Sequence, residues 1–259
     1  MPPILEKKNP ASPSLFVPGA LLREARRQKG LPAVDVPAVC ILDPDGDLVR
    51  RLRQGGQAQR FDGWPCYHTQ LDTFALGGQV VGIVGCAVGA PFAVLVAEQL
   101  FASGCRFLLS LTSAGQISAL RQPPYFVIID RALRDEGTSY HYAAPAEYAE
   151  ADPAVVTLAR HAVAEKGLQV AVGPSWTTDA PFRETAEAIA AAKSRNVLAV
   201  EMEAAALYAF SAASGASVLC LAHVTNTMGQ AIHDFEKGAE DGTAEALLIL
   251  EAIASKVSR

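Results

Sequence analysis

The chain has no apolar run approaching the roughly 20 residues that a membrane-spanning helix needs. The nearest, Val80 to Leu100, is broken by Gly82, Gly85, Gly89, Pro91 and Glu98. No long apolar core follows the charges at Glu6, Lys7 and Lys8, so nothing there reads as a signal peptide and the expected location is the cytoplasm. Cysteine is sparse. Cys40, Cys66, Cys86, Cys105 and Cys220 make an odd count with no C-x-x-C pair, which argues for buried, reduced thiols over disulfides or a metal site. Excess positive charge is missing: the formal net charge is -5, which speaks against general nucleic-acid binding. There is no G-x-G-x-x-G fingerprint and no P-loop lysine. No linker, repeat or low-complexity tract divides the chain.

What remains is a chain of 259 residues, 50% of them hydrophobic, long enough to bury a substantial core. Residues 1–37 read as a proline-rich arm with a short basic helix, Leu21 to Lys29, and residues 38–259 as a single domain. Strands are expected at Pro37 to Leu42, Tyr67 to Leu71, Gln79 to Val84, Arg106 to Leu111, Phe126 to Asp130, Leu168 to Gly173, Val197 to Val200 and Ser217 to Val224. Helices are expected at Phe92 to Phe101, from Asp152 as N-cap to about Lys166, at Arg183 to Lys193, from Ala204 to near Gly215, and at Ala239 to Val257. This alternation argues for an α/β fold with a largely parallel or mixed sheet.

The polar candidates follow apolar strands, and in α/β sheets ligands gather at the strands' carboxyl ends. In Val197 to Leu207, a buried strand hands over to a helix through Glu201-Met202-Glu203. Burying carboxylates there is costly unless donors meet them, and a ribose carries paired hydroxyl donors; a helix N-terminus also favours acids for structural reasons alone. Gly85 to Pro91 is a glycine turn before a helix, a natural anion site. Thr112-Ser113-Ala114-Gly115 offers small hydroxyl residues at a strand end, suited to phosphate or ribose and equally ordinary in turns. Asp43-Pro-Asp-Gly-Asp47 is rich in turn residues; its acid spacing lacks the later glutamate of a calcium loop, so no metal is assigned. Arg50, Arg51, Arg53 and Arg60 form a loose basic group whose bland reading is a solvated face. The loop Thr227 to Lys237 holds His233 and Asp234.

Taken in order, these stretches resemble the nucleoside phosphorylase family, in the branch of hexameric purine nucleoside phosphorylases, uridine phosphorylases and methylthioadenosine nucleosidases. The resemblance covers roughly residues 38–256 and is most specific at VEMEAAALY, Val200 to Tyr208. VGCAVGAP (Val84 to Pro91), LTSAGQI (Leu111 to Ile117), RDEGTSYHYAAP (Arg134 to Pro145), TTDAPFRET (Thr177 to Thr185) and HVTN (His223 to Asn226) follow the family's order. It implies a three-layer α/β/α fold with a central mixed, largely parallel sheet. It also implies cleavage of a nucleoside's N-glycosidic bond, by phosphorolysis to base and pentose 1-phosphate, with phosphate as co-substrate and no metal or other cofactor. Met202 would pack on the ribose and Glu203 bind its hydroxyls, with Glu201 supporting. Thr112, Ser113, Ala114 and Gly115 would meet phosphate and ribose, Thr178 and Phe182 the base pocket, and Asn226 the base. Tyr140 and His141 would stand at the pocket mouth towards a neighbouring subunit of a homo-oligomer, a dimer or trimer of dimers. Gly89, Ser113 and Arg50 would serve phosphate.

The departures are local. Asn226 stands where hexameric purine phosphorylases carry an aspartate, and Ser110 where the family places a phosphate arginine. The G-D-P-x-R turn is replaced by Asp43-Pro-Asp-Gly-Asp47-Leu48, and the neighbouring subunit's arginine falls near Tyr67 and His68. These losses keep two alternatives open, a hydrolytic nucleosidase of the same fold and a catalytically impaired nucleoside-binding protein.

Overall fold

Residues 3–228 and 234–257 are described in the computed structural model. Helix α1 (Pro18–Lys29) opens on a proline and ends on Gly30 in the left-handed region, then packs Leu22 and Ala25 into the body. There follow β1 (Val39–Asp43), α2 (Asp47–Gln54), β2 (Gln59–Arg60), β3 (Leu71–Leu76), β4 (Gln79–Gly85), α3 (Ala90–Phe101), β5 (Phe107–Gln116) and β6 (Tyr125–Asp135). The chain continues through β7 (Tyr148–Glu150), α4 (Pro153–Glu165), β8 (Ala171–Thr178), α5 (Ala186–Ser194), β9 (Ala199–Glu201), α6 (Ala204–Ser214), β10 (Ser217–Asn226) and α7 (Thr243–Val257).

One mixed sheet carries every strand, in the order β10-β6-β8-β9-β5-β1-β4-β3-β2, with β7 on β6. Two parallel runs form it, β4–β1–β5–β10 and β6–β8–β9. Antiparallel pairs β10–β6 and β5–β9 join the runs, so β5, β10, β6, β8 and β9 close into a ring. Strand alternation sorts the core into two layers. Cys40 and Leu42 of β1 face α3 and α6, whereas Val39 and Ile41 face α2 and α7. The three-layer α/β/α arrangement is therefore as the family resemblance implies.

Several boundaries differ from expectation. Residues 67–70 are not strand, and β3 begins at Leu71. The preceding stretch is held as a loop: Trp64 Nε1 donates to Thr69 Oγ1 at 2.9 Å, and Lys29 Nζ donates to the Pro65 and Cys66 carbonyls. Trp176-Thr177-Thr178 is the buried end of β8, beyond the Leu168 to Gly173 strand expected there. The final helix starts at Thr243, after a short 3-10 turn at Ala239–Gly242. His233 lies outside the described residues.

Candidate active site

The carboxyl ends of β1, β5 and β10, and the junction of β9 with α6, converge on a cavity of about 340 Å3. Register explains the convergence. β10 runs parallel to β5 and sets Asn226 opposite Gly115, while antiparallel β9 sets Val200 opposite the same glycine. Gly115 sits in this crowding: a Cβ there would meet Met228 Sδ at 2.2 Å, Val200 Cγ1 at 3.2 Å and Asn226 Oδ1 at 3.3 Å, so Met228 would have to move. A groove of about 400 Å3 beside Ile128, Arg160 and Val163 is larger but gathers no buried acid or nucleophile.

The two glutamates of the E-M-E segment are both buried and differ sharply in what they touch. Glu201 is saturated. Its Oε2 accepts from Glu203 N and Ala204 N, each at 2.7 Å, and its Oε1 accepts from the hydroxyls of Ser175 and Thr177. Thr177 Oγ1 in turn accepts from Ala205 N. The orphan amides at the start of α6 are thereby consumed inside the fold, not offered to an anion. Glu203 has a single backbone donor, Gly89 N at 2.7 Å to Oε1, and its Oε2 has no partner. Burial, reinforced by the charge of Glu201, pushes Glu203 up to about 8. Burial also raises Glu201, against the pull of its four donors. Four hydrogen-bond donors meet Glu201 and one backbone donor meets Glu203, so the Glu203 carboxyl is the one of the pair with an oxygen still to be paired.

Of the residues expected in the site, Thr112, Ser113, Ala114, Gly115, Phe182, Glu201, Met202, Glu203 and Asn226 all line this cavity. Asn226 Oδ1 accepts from Met228 N at 2.9 Å, which turns its amide nitrogen towards Thr225 Oγ1 at 3.3 Å and Ala114 O at 3.5 Å. Phe182 is fully exposed at the mouth, with Phe235 also largely exposed on the lining.

Other expected residues lie elsewhere. Thr178 is buried and its hydroxyl accepts from Ala180 N, outside the cavity. Gly89 spends its N–H on Glu203, so it is not a free phosphate donor. Tyr140 lies under the Arg134 guanidinium at 4.4 Å, and His141 Nδ1 accepts from Lys8 Nζ at 3.0 Å beside a separate groove. Arg50 is exposed and pairs with Asp47 at 2.8 Å; it does not reach the cavity. The rest of that basic group is also engaged: Arg51 with Asp241, Arg53 and Arg60 with Asp72.

Sequence reading missed three acids and an aromatic. Asp45 lines the cavity and accepts from Ser113 N at 2.7 Å and Ser113 Oγ at 2.9 Å. Asp43, at the end of β1, is buried and pushed up to about 7 by that burial, while its Oδ2 accepts from Val49 N. Glu184, inside the TTDAPFRET stretch, lines the cavity and is raised to about 7 by burial. Phe235 carried no signal beyond its place in a loop. Among the described lining residues there are four carboxylates, Asp45, Glu184, Glu201 and Glu203, and no arginine, lysine or histidine.

Comparison with known proteins adds an independent line. Residues 37–255 match the family model described as the phosphorylase superfamily. A guanosine phosphorylase of Halorubrum lacusprofundi is 27% identical over 165 residues, 63% of this chain and 66% of that protein. A DeoD-type purine nucleoside phosphorylase of Psychromonas ingrahamii is 29% identical over 160 residues, 58% of this chain and 64% of that protein. The chain thus spans just under two thirds of the length of the curated relatives it matches. A crystal structure of uridine phosphorylase from Vibrio fischeri superposes with a TM-score of 0.72 at 20% identity, covering 87% of this chain and 95% of that one, and shares its fold. Among the described residues no helix is long and apolar enough to cross a membrane.

Proposed function

Because the chain belongs to the phosphorylase superfamily, whose model spans residues 37–255, we propose that it cleaves the N-glycosidic bond of a nucleoside and transfers the pentose to phosphate. The observation that carries this reading is Glu203, a buried carboxylate in the cavity with one oxygen unpartnered. Ribose hydroxyls donating to that oxygen favour the charged form and draw Glu203 back from about 8. The resulting carboxylate stabilises the cationic sugar as the C1′–N bond breaks. The bond's electron pair goes to the base, whose developing charge draws an Asn226 amide N–H away from its long contact with Ala114 O at 3.5 Å. Met202 packs on the sugar, and Phe182 and Phe235 flank the base. The acceptor oxygen attacks C1′ from the side of Thr112 and Ser113. No cofactor is required; phosphate is the co-substrate. The names of the relatives, guanosine and purine nucleoside phosphorylase, support a purine nucleoside.

Exposed Phe16 and Leu95, beside His141, support a homo-oligomer, a dimer or trimer of dimers, and five free thiols support a cytoplasmic setting. A second reading, hydrolysis of the same bond, is favoured by one observation: among the described residues no cation lines the cavity. Product analysis with a nucleoside panel at varied phosphate tests both. Pentose 1-phosphate formed at a rate rising with phosphate supports transfer; free pentose formed equally fast without phosphate supports hydrolysis; no base released from any nucleoside refutes both.

A further inference from the structure

We propose that Asp45 is a built-in occupant of the acceptor seat and sets whether this chain uses an oxyanion or water. The inference rests on reading the cavity as the site of N-glycosidic cleavage. A backbone N–H and a hydroxyl side by side at a strand end make a seat for an oxyanion. Ser113 presents such a pair in the cavity, and the seat is already filled. Its N–H donates to Asp45 Oδ2 at 2.7 Å and its Oγ–H to Asp45 Oδ1 at 2.9 Å, so both carboxylate oxygens are engaged by a residue 68 positions away in sequence.

The carboxylate is held there by its turn. The Asp43 carbonyl accepts from Gly46 N at 2.9 Å and Cys86 N at 3.0 Å, and Asp43 Oδ2 accepts from Val49 N. These bonds tie the Asp45 turn to the start of α2 and to the turn after β4. A second anion at Ser113 would face the Asp45 carboxylate, a like charge in a partly dry cavity. Neighbouring cations do not offset this, because Arg50 and Lys237 both pair with Asp47. An oxyanion gains the Ser113 donors only when Asp45 swings out. A water molecule meets no charge repulsion and can donate its proton to the same carboxylate.

The test compares the full chain with Asp45→Ala and Asp45→Asn. Inorganic phosphate binding is measured by calorimetry, and the ratio of pentose 1-phosphate to free pentose is measured at fixed phosphate. Removing the occupant is expected to tighten phosphate binding and raise the product ratio by about tenfold or more. Asp45→Asn, which keeps the shape and loses the charge, is expected to fall between the two and guards against a folding defect in the alanine variant. Equal phosphate affinity in the native chain and both variants overturns the proposal, as does no measurable binding in any of them. Tighter phosphate binding with no nucleoside turned over leaves the seat standing and sinks the cleavage reading.

Discussion

Glu203→Gln separates a working carboxylate from a structural one. Burial lifts Glu203 from an ordinary value of 4.5 to about 8. A raised acid stabilises the fold fully below its unfolded value, and that contribution is lost as pH rises through the folded value. The native chain should therefore lose stability between about pH 5 and pH 9, by a few kcal/mol, since each tenfold change in proton affinity is worth about 1.36 kcal/mol. Glutamine is neutral throughout and keeps the Gly89 bond through its carbonyl oxygen. It leaves the position of Oε2 unpartnered, as the protonated acid does. So the variant should match the native chain near pH 5 and exceed it near pH 9 by about 10–20 °C in Tm, at roughly 2–4 °C per kcal/mol. Activity should move the other way. Losing a charge-assisted bond to the sugar costs about 1.5–3 kcal/mol, or roughly 10- to 150-fold in kcat/KM. Thermal unfolding at both pH values and steady-state kinetics read the two effects. A Tm difference independent of pH refutes the raised acid, and unchanged kcat/KM refutes the sugar contact.

Glu201→Ala should instead destabilise the fold by at least about 3 kcal/mol, because four buried donors lose their acceptor; a native unfolding midpoint would contradict this. Gly115→Ala drives a methyl into Met228 Sδ and narrows the cavity, so it should cost about 1–3 kcal/mol and most of the nucleoside affinity. Ligand titration showing native affinity would remove Gly115 from the site. Asn226→Ala deletes the amide proposed to meet the base and should lower kcat by about tenfold to a hundredfold, with binding of free pentose phosphate unaffected; a change in KM alone would assign Asn226 to binding only.

The E-M-E segment was legible because an apolar run followed by strong helix formers announces a strand-to-helix junction, and the junction's acids then need donors. The strands leading to Thr112 and Asn226 were legible for the same local reason, but β5 runs on to Gln116, so Thr112 to Gly115 are strand and not the turn expected. Asp45 was not. In sequence it is one of several turn formers, and its place against Ser113 exists only because β1 and β5 are adjacent and parallel. Thr177 carried no local sign that a buried carboxylate 24 positions later would accept its hydrogen bond. Arg50 looked available because sequence displays the arginine without the geometry of the aspartate that claims it, even three residues away. The ring escaped notice since hydrophobic periodicity reports a strand and never its partners.

That ring also dictates an order of events in time. β10 closes it by lying between β5 and β6, strands more than ninety positions ahead of it in the chain for β6 and over a hundred for β5. Contacts this distant in sequence form slowly, because loop closure must precede any reward. Until β10 arrives, the stretch from Phe107 to Gly115 has an unpaired flank of backbone amides and carbonyls, a template for another chain. The candidate cavity is thus completed late, when β10 arrives. A growing chain holds both glutamates and the Ser113 turn well before Asn226 exists to face them, and it needs protection from self-association through that interval.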